Sequence, residues 1–386
     1  MKRLLQFNWV MFVAMLALVA IGTALIWSAG NARQELVFHD MWISNLVTAC
    51  FGLGMYFVVA FADYRKLLTF AAVPAYLVSL LLLVAVLAFG STVYGGRRWL
   101  WFFQPSEISK VFVIALMAEV FGQNGKTWLR GFRGFLLAIV MVGVPCLLIL
   151  AEPDLGTTLT LVPSAVLMMF AAKVWRKGLI AIAAIGGVVA LAVLGAVYEA
   201  EKPGVNEERR ARIYRFVPLK EHQLKRIKVF IFPESDVMGA GYNLRQAKIS
   251  IGSGGLTGKG IGKGDTNHLK YLPQAISMND FIFCVYAEET GFIGSLVLLA
   301  LFGTLIVAGC WVAFVATDGR GRLLALGVST LVFAHVYINI AMSIGLVPIT
   351  GLPLPFISSG RTFLITVMFG LGLMQSVSIH REVMRK

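Results

Sequence analysis

Residues 9–28 read WVMFVAMLALVAIGTALIWS, an uninterrupted apolar run without a charged side chain. A helix of roughly 20 apolar residues is long enough to cross the hydrocarbon core of a bilayer. The apolar centre of a signal peptide is shorter, roughly 7–15 residues, so the run favours a helix that is retained. The segment therefore predicts a transmembrane helix near the N-terminus.

Similar apolar runs recur along all 386 residues. Hydrophobic residues make up 58% of the chain and charged residues only 14%, whereas soluble proteins carry about 25% charged residues. This balance excludes a water-soluble protein and predicts an all-α integral membrane protein, a single domain at 1–386 with about ten transmembrane helices. The predicted spans are 8–28, 42–62, 67–89, 107–122, 132–151, 157–173, 178–198, 281–316, 323–345 and 361–379. The run at 281–316 exceeds one simple crossing, so we expect it to begin outside the bilayer or to tilt.

The net charge of +14 would suit a nucleic-acid-binding protein, but the basic residues lie mainly in short segments between apolar runs. Cytoplasmic loops of membrane proteins carry an excess of Lys and Arg. This rule predicts that both termini are cytoplasmic, and it gives no reason to expect nucleic acid as a partner. The segments assigned to the cytoplasm contain Lys2, Arg3, Arg65, Lys66, Lys126, Arg130, Arg133, Lys173, Arg176, Lys177, Arg320, Arg322, Arg381, Arg385 and Lys386.

One predicted extracytoplasmic loop, 199–279, is roughly 80 residues long. Loops of more than about 15 residues are uncommon unless they are functional. Its part at 207–232 alternates basic and apolar residues, which suits either a helix at a headgroup surface or a solvated linker. The glycine-rich part, 252–264, lacks the spacing of a nucleotide-binding phosphate loop. Its backbone amides and two lysines would still suit an anionic headgroup.

Four cysteines each fall inside an apolar run: Cys50, Cys146, Cys284 and Cys310. Such positions favour packing and predict no disulfide framework. The sequence also shows no Cys/His cluster with the spacing of a zinc site.

Ionisable residues in or beside transmembrane helices are costly, so they indicate functional sites. The segment 95–110 reads GGRRWLWFFQPSEISK. Pro105 suits the first turn of a helix, and Glu107 and Lys110, three residues apart, share one helix face. The segment fits a functional site, and it equally fits an interfacial anchor with a simple Glu–Lys pair.

Three further polar segments lie at predicted outer ends of helices. Asp154, in EPDLGTT at 152–158, favours a helix N-cap. Asp280, in NDFIFCVYAEE at 279–289, suits either an N-cap or a general base at the bilayer edge, and we expect the two glutamates that end this segment to bond neighbouring helices. The proline-rich segment 345–360 is either buried by protein around a cavity or a rigid outer turn. Together these segments predict an outer-face site for an anionic ligand, in a transporter or in an enzyme.

Five ordered motifs resemble the SEDS family (shape, elongation, division and sporulation), and its elongation branch most closely. They are GRRW…QPSEISK, PDLGT, GYN…GSGGLTGKG, DFIF…EETGF and TGLPLPFIS. The resemblance spans almost the full chain, from about Trp9 to the last helix. The resemblance implies a multi-pass glycosyltransferase of the bacterial cytoplasmic membrane with ten transmembrane helices. Such enzymes polymerise lipid II into β-1,4-linked glycan strands on the outer face. A lipid II flippase is the alternative function.

The resemblance also implies roles for individual residues. Asp280 matches the essential aspartate, the base that acts on the acceptor hydroxyl. The expected lipid II site comprises Arg98, Trp99, Gln104, Ser106, Glu107 and Lys110. Positive charge would stabilise the departing pyrophosphate, and Lys110 would pair with Glu107 or Asp280.

The same resemblance implies partners and cofactors. A class B penicillin-binding protein, the crosslinking transpeptidase, is the expected partner, together with other proteins of the elongation complex. No tightly bound cofactor is expected, although a divalent cation, Mg²⁺ or Mn²⁺, would suit pyrophosphate departure. The sequence does not identify its ligands.

The chain departs from the family pattern at several places near these motifs. The stretch between Trp99 and Gln104 is shorter than usual, and the spacer 275–279 is longer. Pro273-Gln274 stands where Pro-Glu is usual, and 358–362 reads SSGRT where SYGGS is usual. Arg361 therefore adds a charge to a stretch that is usually neutral. These changes leave Asp280 and the Glu107–Lys110 pair intact, and they bear on loop geometry and partner contacts.

Overall fold

The computed structural model describes residues 6–31, 40–93, 96–101, 103–123, 127–202, 204–217, 219, 221–268 and 271–381. The predicted cytoplasmic residues Lys2, Arg3, Lys126, Arg385 and Lys386 lie outside these ranges. The helices, in chain order, are α1 (Trp9–Asn31), α2 (Met41–Phe61), α3 (Tyr64–Phe89), α4 (Pro105–Phe121), α5 (Phe132–Ala151), α6 (Leu155–Ala171), α7 (Arg176–Ala200), α8 (Glu207–Arg215), α9 (Glu221–Ile231), α10 (Ala240–Ser253), α11 (Asp265–His268), α12 (Gln274–Ser277), α13 (Ile282–Val315), α14 (Gly319–Ser343) and α15 (Arg361–Ile379).

Each of the ten predicted spans lies on a helix. Eight of the described helices are long and apolar enough to cross a membrane. The other two, α4 and α6, have 17 residues each, slightly fewer than the roughly 20 that a crossing usually takes. The prediction of an all-α, multi-pass membrane protein is confirmed, whereas the count of ten crossings and the cytoplasmic termini remain predictions.

A small antiparallel hairpin interrupts the helices, and the sequence analysis did not predict it. Strand β1 (Ser91–Val93) pairs with β2 (Gly96–Trp99). Short 3₁₀ turns at Thr127–Arg130 and Pro233–Ser235 complete the regular structure of the described chain. The four cysteines are free, as predicted.

Helix α15 lies at the centre of the bundle, and α7 lies at its edge. Nearly all of α15 is buried by protein, whereas α7 exposes most of its apolar side chains. Since α7 is as apolar as the other spans, this exposure is what a lipid-facing helix requires. Gly372 lets α15 approach α2 closely, because a Cβ there would crowd the backbone of Tyr56. The phenol of Tyr56 then donates to Gln375 at 3.2 Å.

Helix α13 contains a break at Gly291, where φ is 71° and ψ is −165°. This break accounts for the run that was too long for one straight crossing. The glycine-rich segment closes it: Lys259 N donates to Glu288 O at 3.0 Å, and Gly260 N donates to Glu289 O at 2.9 Å. A Cβ at Gly291 would overlap the backbone of this segment. The amides of Lys259 and Gly260 are therefore not available to an anionic headgroup.

The basic half of the large loop is folded rather than a solvated linker. It forms α8 and α9, which pack back against the end of α7 around one acceptor, Glu201. The Glu201 carboxylate accepts from Tyr214 Oη at 2.7 Å and from Lys228 Nζ at 2.7 Å. Arg209, Arg212 and other basic side chains of α8 remain exposed, a pattern that suits a headgroup surface.

Candidate active site

Asp280 lies in the short link between α12 and α13. Its backbone N donates to Ile276 O at 3.0 Å, and its carbonyl oxygen accepts from Asn339 Nδ2 at 2.9 Å. Helix α13 begins at Ile282 and receives no side-chain cap, so the N-cap interpretation of Asp280 is wrong. Among the described residues, none forms a hydrogen bond or ion pair with the partly exposed Asp280 carboxylate. The surrounding protein therefore holds the backbone of Asp280, while the described residues leave its carboxylate without a bonded partner.

The proline-rich segment 345–360 forms the wall beside Asp280. It is neither helix nor strand, and its apolar side chains Leu352, Leu354, Phe356 and Ile357 are buried. Ser358 fixes it in place, because its Oγ accepts from Leu354 N at 2.8 Å and donates to Asn279 O at 2.7 Å. Irregular backbone at this depth is therefore buried by protein, as one of the two interpretations predicted.

Gly351 brings this segment against the carboxylate. Its φ is 74°, a conformation that L side chains rarely adopt. A Cβ built on Gly351 would lie 3.3 Å from Asp280 Oδ2. A larger residue would therefore crowd the carboxylate as well as strain the backbone.

Arg98 joins the hairpin to the turn between α5 and α6. Its Nε donates to Glu152 O at 3.4 Å, its Nη2 donates to Pro153 O, and its Nη1 lies 3.9 Å from Asp154 Oδ1. Asp154 caps α6 as predicted, accepting from Thr157 N at 3.1 Å. Asp154 Oδ2 also accepts a hydrogen bond from Gln104 Nε2 at 3.3 Å. Two of the predicted site residues, Arg98 and Gln104, are thus brought together by Asp154.

Arg226 of α9 is a site residue that the sequence analysis did not single out. Its Nη1 donates to Thr350 O at 2.9 Å, beside Gly351. Burial lowers the pKa of Arg226 and the nearby Arg98 lowers it further, whereas Asp280 opposes both effects. The large basic loop therefore delivers a guanidinium to the neighbourhood of the aspartate.

Burial and the surrounding charges bring the pKa of Asp280 close to neutral pH. Burial raises the pKa of Asp280 to about 6; Arg226 and Arg98 act to lower it, and Asp154 acts to raise it. A general base works best when its pKa lies close to the operating pH. At neutral pH Asp280 is therefore mostly ionised and able to accept a proton.

Glu152 is a second carboxyl group at this end of the bundle. Its side chain is fully buried, and neither carboxylate oxygen has a hydrogen-bond partner among the described residues. Burial raises the pKa of Glu152 to about 8, Asp154 adds to the rise, and Arg98 opposes it. Glu152 is therefore largely protonated at neutral pH and contributes little negative charge.

Glu107 and Lys110 form a buried group with His335 of α14. Lys110 Nζ lies 2.8 Å from Glu107 Oε2 and 2.9 Å from His335 Nε2, and its side chain is only 1% exposed. The ring of Phe363 covers the same ammonium group. Of the two pairings considered for Lys110, the structure forms the one with Glu107. His335 was missed, although a histidine inside an apolar span was a signal for it.

The remaining predicted residues lie around the start of α4. Pro105 opens this helix, as predicted. Gln104 donates from Nε2 to Ser106 Oγ at 3.2 Å, and Ser106 is buried. Trp99 is half-buried in β2. Within the described part of the chain, no hydrogen bond or ion pair links Trp99, Gln104 or Ser106 to Asp280.

The donor set of this site does not resemble a metal cage. Across the described residues, no three His, Cys, Asp or Glu side chains lie close enough together to hold a metal ion. Positive charge at the site comes instead from Arg98 and Arg226. A divalent cation here would depend mainly on oxygens of the ligand and on water, as Mg²⁺ commonly does.

The family described as cell cycle protein FtsW/RodA/SpoVE matches residues 8–383. The chain belongs to this family. The SEDS resemblance carried by the five motifs is thereby confirmed. Relatives include peptidoglycan glycosyltransferase MrdB of Escherichia coli K12, which is 35% identical over 97% of this chain and 94% of that protein. The probable peptidoglycan glycosyltransferase FtsW of Trichlorobacter lovleyi is 34% identical over the same shares.

Solved structures share this fold. One comes from a study of how a peptidoglycan synthase complex coordinates polymerization and crosslinking; it is 27% identical, with a TM-score of 0.73 over 97% of this chain and 98% of that chain. The rod shape determining protein RodA of Thermus thermophilus is 24% identical, with a TM-score of 0.67 over 97% of each chain. The latter supports the fold alone.

Proposed function

We propose that this chain is a peptidoglycan glycosyltransferase of the elongation type, which polymerises lipid II into β-1,4-linked glycan strands on the outer face of the bacterial cytoplasmic membrane. The observation that carries the proposal is the Asp280 carboxylate, which caps no helix, receives no hydrogen bond or ion pair from the described residues and lies near two arginines. The names of the relatives, which are peptidoglycan glycosyltransferases, support the same reaction.

In the proposed reaction, the 4-hydroxyl oxygen of the acceptor GlcNAc attacks the anomeric carbon of the donor sugar. The hydroxyl proton passes to Asp280, a bond forms between this oxygen and the anomeric carbon, and the bond from that carbon to undecaprenyl pyrophosphate breaks. Attack opposite to the leaving group inverts the anomeric configuration. General base catalysis of this kind contributes about 10²–10⁴-fold to the rate.

Arg98 and Arg226 are the cations that we assign to the pyrophosphate. Guanidinium groups form short, two-pronged hydrogen bonds with phosphate oxygens. Fixed positive charge near a leaving group stabilises the negative charge that develops there. The same two arginines favour the ionised form of Asp280, so they serve both reacting groups.

The residues proposed to bind or position lipid II also include Trp99, Gln104, Ser106, Glu107 and Lys110. Gln104 has the strongest support, because Asp154 holds its amide beside Arg98. Glu107 and Lys110 are buried against each other and His335. We therefore propose that this pair fixes the start of α4 and acts on the substrate through the residues there.

We also propose that a divalent cation, Mg²⁺ or Mn²⁺, binds together with the substrate, held mainly by its pyrophosphate oxygens. The described residues offer no cage of three ligands for it. Its chemistry would be to neutralise phosphate charge, and no step above depends on it. No tightly bound cofactor is proposed.

The partner that we propose is a class B penicillin-binding protein, which would crosslink the new strand, together with other elongation proteins. The support is the structural neighbour from a synthase complex that coordinates polymerization and crosslinking. We propose that this partner docks through its own transmembrane helix.

The test is a polymerisation assay with purified protein and lipid II, run with and without the class B transpeptidase. We expect glycan polymer from the wild type and none from Asp280→Ala. If Asp280→Ala polymerises as well as the wild type, the assignment of the base is wrong. The alternative, a lipid II flippase, predicts no polymer under either condition and movement of fluorescent lipid II across vesicles that contain the protein.

A further inference from the structure

A cavity of about 650 Å³ lies between the chain before α1, the middle of α13 and the end of α15. It belongs to no part of the site around Asp280. Its lining includes Gln6, Trp9, Gly303, Val307, Trp311 and Arg381. Its size falls within the range of about 300–1,000 Å³ that is typical of ligand sites.

Helix α15 shows that the cavity and the candidate active site lie at opposite ends of the bundle. Near the start of α15, Thr362 Oγ1 accepts from Gln104 N at 3.4 Å. Near its end, Ser376 Oγ accepts from Tyr64 N at 3.1 Å, and Arg381 follows. The cavity therefore lies at the end whose basic connections are predicted to face the cytoplasm.

Hydrogen bonds build the polar end of the cavity. Ser378 Oγ donates to Gln6 O at 2.7 Å, and Gln6 Nε2 donates to Arg381 O at 3.1 Å. Asn8 is also tied down, because its Nδ2 donates to Ala308 O at 3.4 Å. These bonds fix the two chain segments that bring Gln6 and Arg381 to the lining of the cavity.

Gly303 leaves open space at the apolar end of the cavity. A Cβ built on Gly303 would meet no atom within 4 Å, so the space beside it is unfilled. Val307 lies one turn further along the same face of α13 and is exposed to it. Trp9 and Trp311 flank this channel with exposed fractions of 55% and 58%, and tryptophan is the side chain favoured at the bilayer interface.

The charge of the cavity has one sign. Arg381 is a cation, and none of the twelve lining residues, all within the described chain, is acidic. An occupant that complements this cavity combines an anionic head with an apolar chain.

We propose that the cavity binds an anionic phospholipid of the cytoplasmic leaflet, with its phosphate at Arg381 and one acyl chain along Gly303 and Val307. Basic pockets between transmembrane helices on the cytoplasmic side are a known way to bind anionic headgroups. Bound there, the lipid links α1, α13 and α15 at the end of the bundle opposite Asp280.

The test is native mass spectrometry of the purified chain titrated with phosphatidylglycerol or with phosphatidylcholine. We expect one phosphatidylglycerol to be retained more tightly than phosphatidylcholine by the wild type. Arg381→Ala should weaken this binding about fivefold, because each basic residue near an anionic lipid contributes about 1 kcal/mol. The matched control is Arg322→Ala, which removes an exposed arginine outside the cavity and should leave binding unchanged.

A second variant tests the channel without changing charge. Gly303→Phe fills the open space beside α13 and should displace the retained lipid while the melting temperature in detergent stays that of the wild type. The proposal is overturned if Arg381→Ala behaves like Arg322→Ala, if the two lipids bind equally, or if free inorganic phosphate displaces phosphatidylglycerol. A change in the number of protein copies instead of bound lipids would assign the cavity to self-association and would also overturn it.

Discussion

Asp280 and Glu288 are carboxylates eight residues apart in one segment, and the protein treats them in opposite ways. Glu288 is buried and accepts from Lys259 Nζ at 2.6 Å, Asp265 N at 3.0 Å and Thr266 N at 3.2 Å. No comparable bonds reach the side chain of Asp280 from the described residues, and only charges at longer range act on it. A carboxylate whose oxygens are already bonded is committed to structure, whereas one left without partners is available for chemistry.

The difference comes from what each carboxylate faces. Glu288 faces the glycine-rich segment, whose backbone amides bond the carbonyl groups beside the break in α13. It also faces α11, whose first two amides donate to its carboxylate. Asp280 faces the proline-rich segment, where Gly351 offers no side chain. The comparison therefore predicts that Asp280 matters for rate and that Glu288 matters for stability.

The largest expected effect is that of Asp280→Asn. The amide keeps the size of the side chain but cannot accept the hydroxyl proton, so polymerisation should fall about 10²–10⁴-fold. The melting temperature in detergent should stay within a few degrees of the wild type, because none of the described residues bonds to this side chain. A gel assay of glycan products and a thermal melt of the same preparation measure both quantities. A large loss of melting temperature would break the comparison.

The next effect concerns Lys110, which resembles Glu288 in being bonded on several sides. Lys110→Met leaves the Glu107 carboxylate buried without its cation, which should cost about 3–5 kcal/mol of unfolding free energy. Glu107→Gln combined with Lys110→Met should recover part of this loss. The measurement is the free energy of unfolding of both variants in detergent. If Lys110→Met melts like the wild type and only the rate falls, Lys110 contacts the substrate directly.

Glu288→Gln should have a smaller effect on stability. Asp265 N and Thr266 N donate to different oxygens of Glu288. Glutamine keeps only one acceptor oxygen, so it retains one of these two bonds and loses the ion pair with Lys259. Lys259 is partly exposed and also bonded to Asp265 at 2.8 Å, so the expected cost is about 1–3 kcal/mol. Polymerisation per folded molecule should remain near that of the wild type. A loss of rate as large as that of Asp280→Asn would show that the two carboxylates do not differ in role.

The sequence predicted the fold well because a membrane helix can be recognised from its local composition, a run of about 20 apolar residues. Every predicted span coincides with a helix. The length of 281–316 was interpreted as a tilt or a start outside the bilayer, which remains a prediction, and the break inside this run was not predicted. The hairpin was missed because its two short strands carry almost no periodic pattern. The break at Gly291 was not located, since its position is set by the glycine-rich segment that packs against it.

The site was predicted only in part for a similar reason. Asp154 capping α6 and the Glu107–Lys110 pair follow from local spacing, and the structure confirms both. Arg226 could not be chosen, because it is one of many basic residues in 207–232 and only the folding of α9 selects it. Asn339, which holds the backbone of Asp280, was signalled only as a polar residue inside an apolar span. Local sequence patterns could not predict these contacts, because they join residues that are far apart in the sequence.

The smallest expected effect is a shift in the pH dependence of the rate, which tests whether nearby charges keep Asp280 ionised. Asp280 acts as a base only when ionised, so activity should fall as the pH drops through about 6, the value to which burial raises its pKa. Arg226 favours the ionised form. Arg226→Ala should therefore raise this pKa further and move the acidic limb of the rate profile to higher pH.

The neighbouring residue provides a matched control for this shift. Lys225 is exposed and pairs with Asp236 at 3.4 Å, so Lys225→Ala removes one charge from the same helix without touching the site. The pH of half-maximal rate, measured from pH 5 to 8 at saturating lipid II, is independent of any overall loss of activity. It should rise for Arg226→Ala and stay in place for Lys225→Ala. An unchanged limb in both variants would mean that Arg226 does not set the charge of Asp280, and a limb displaced equally in both would assign the effect to net charge on the loop.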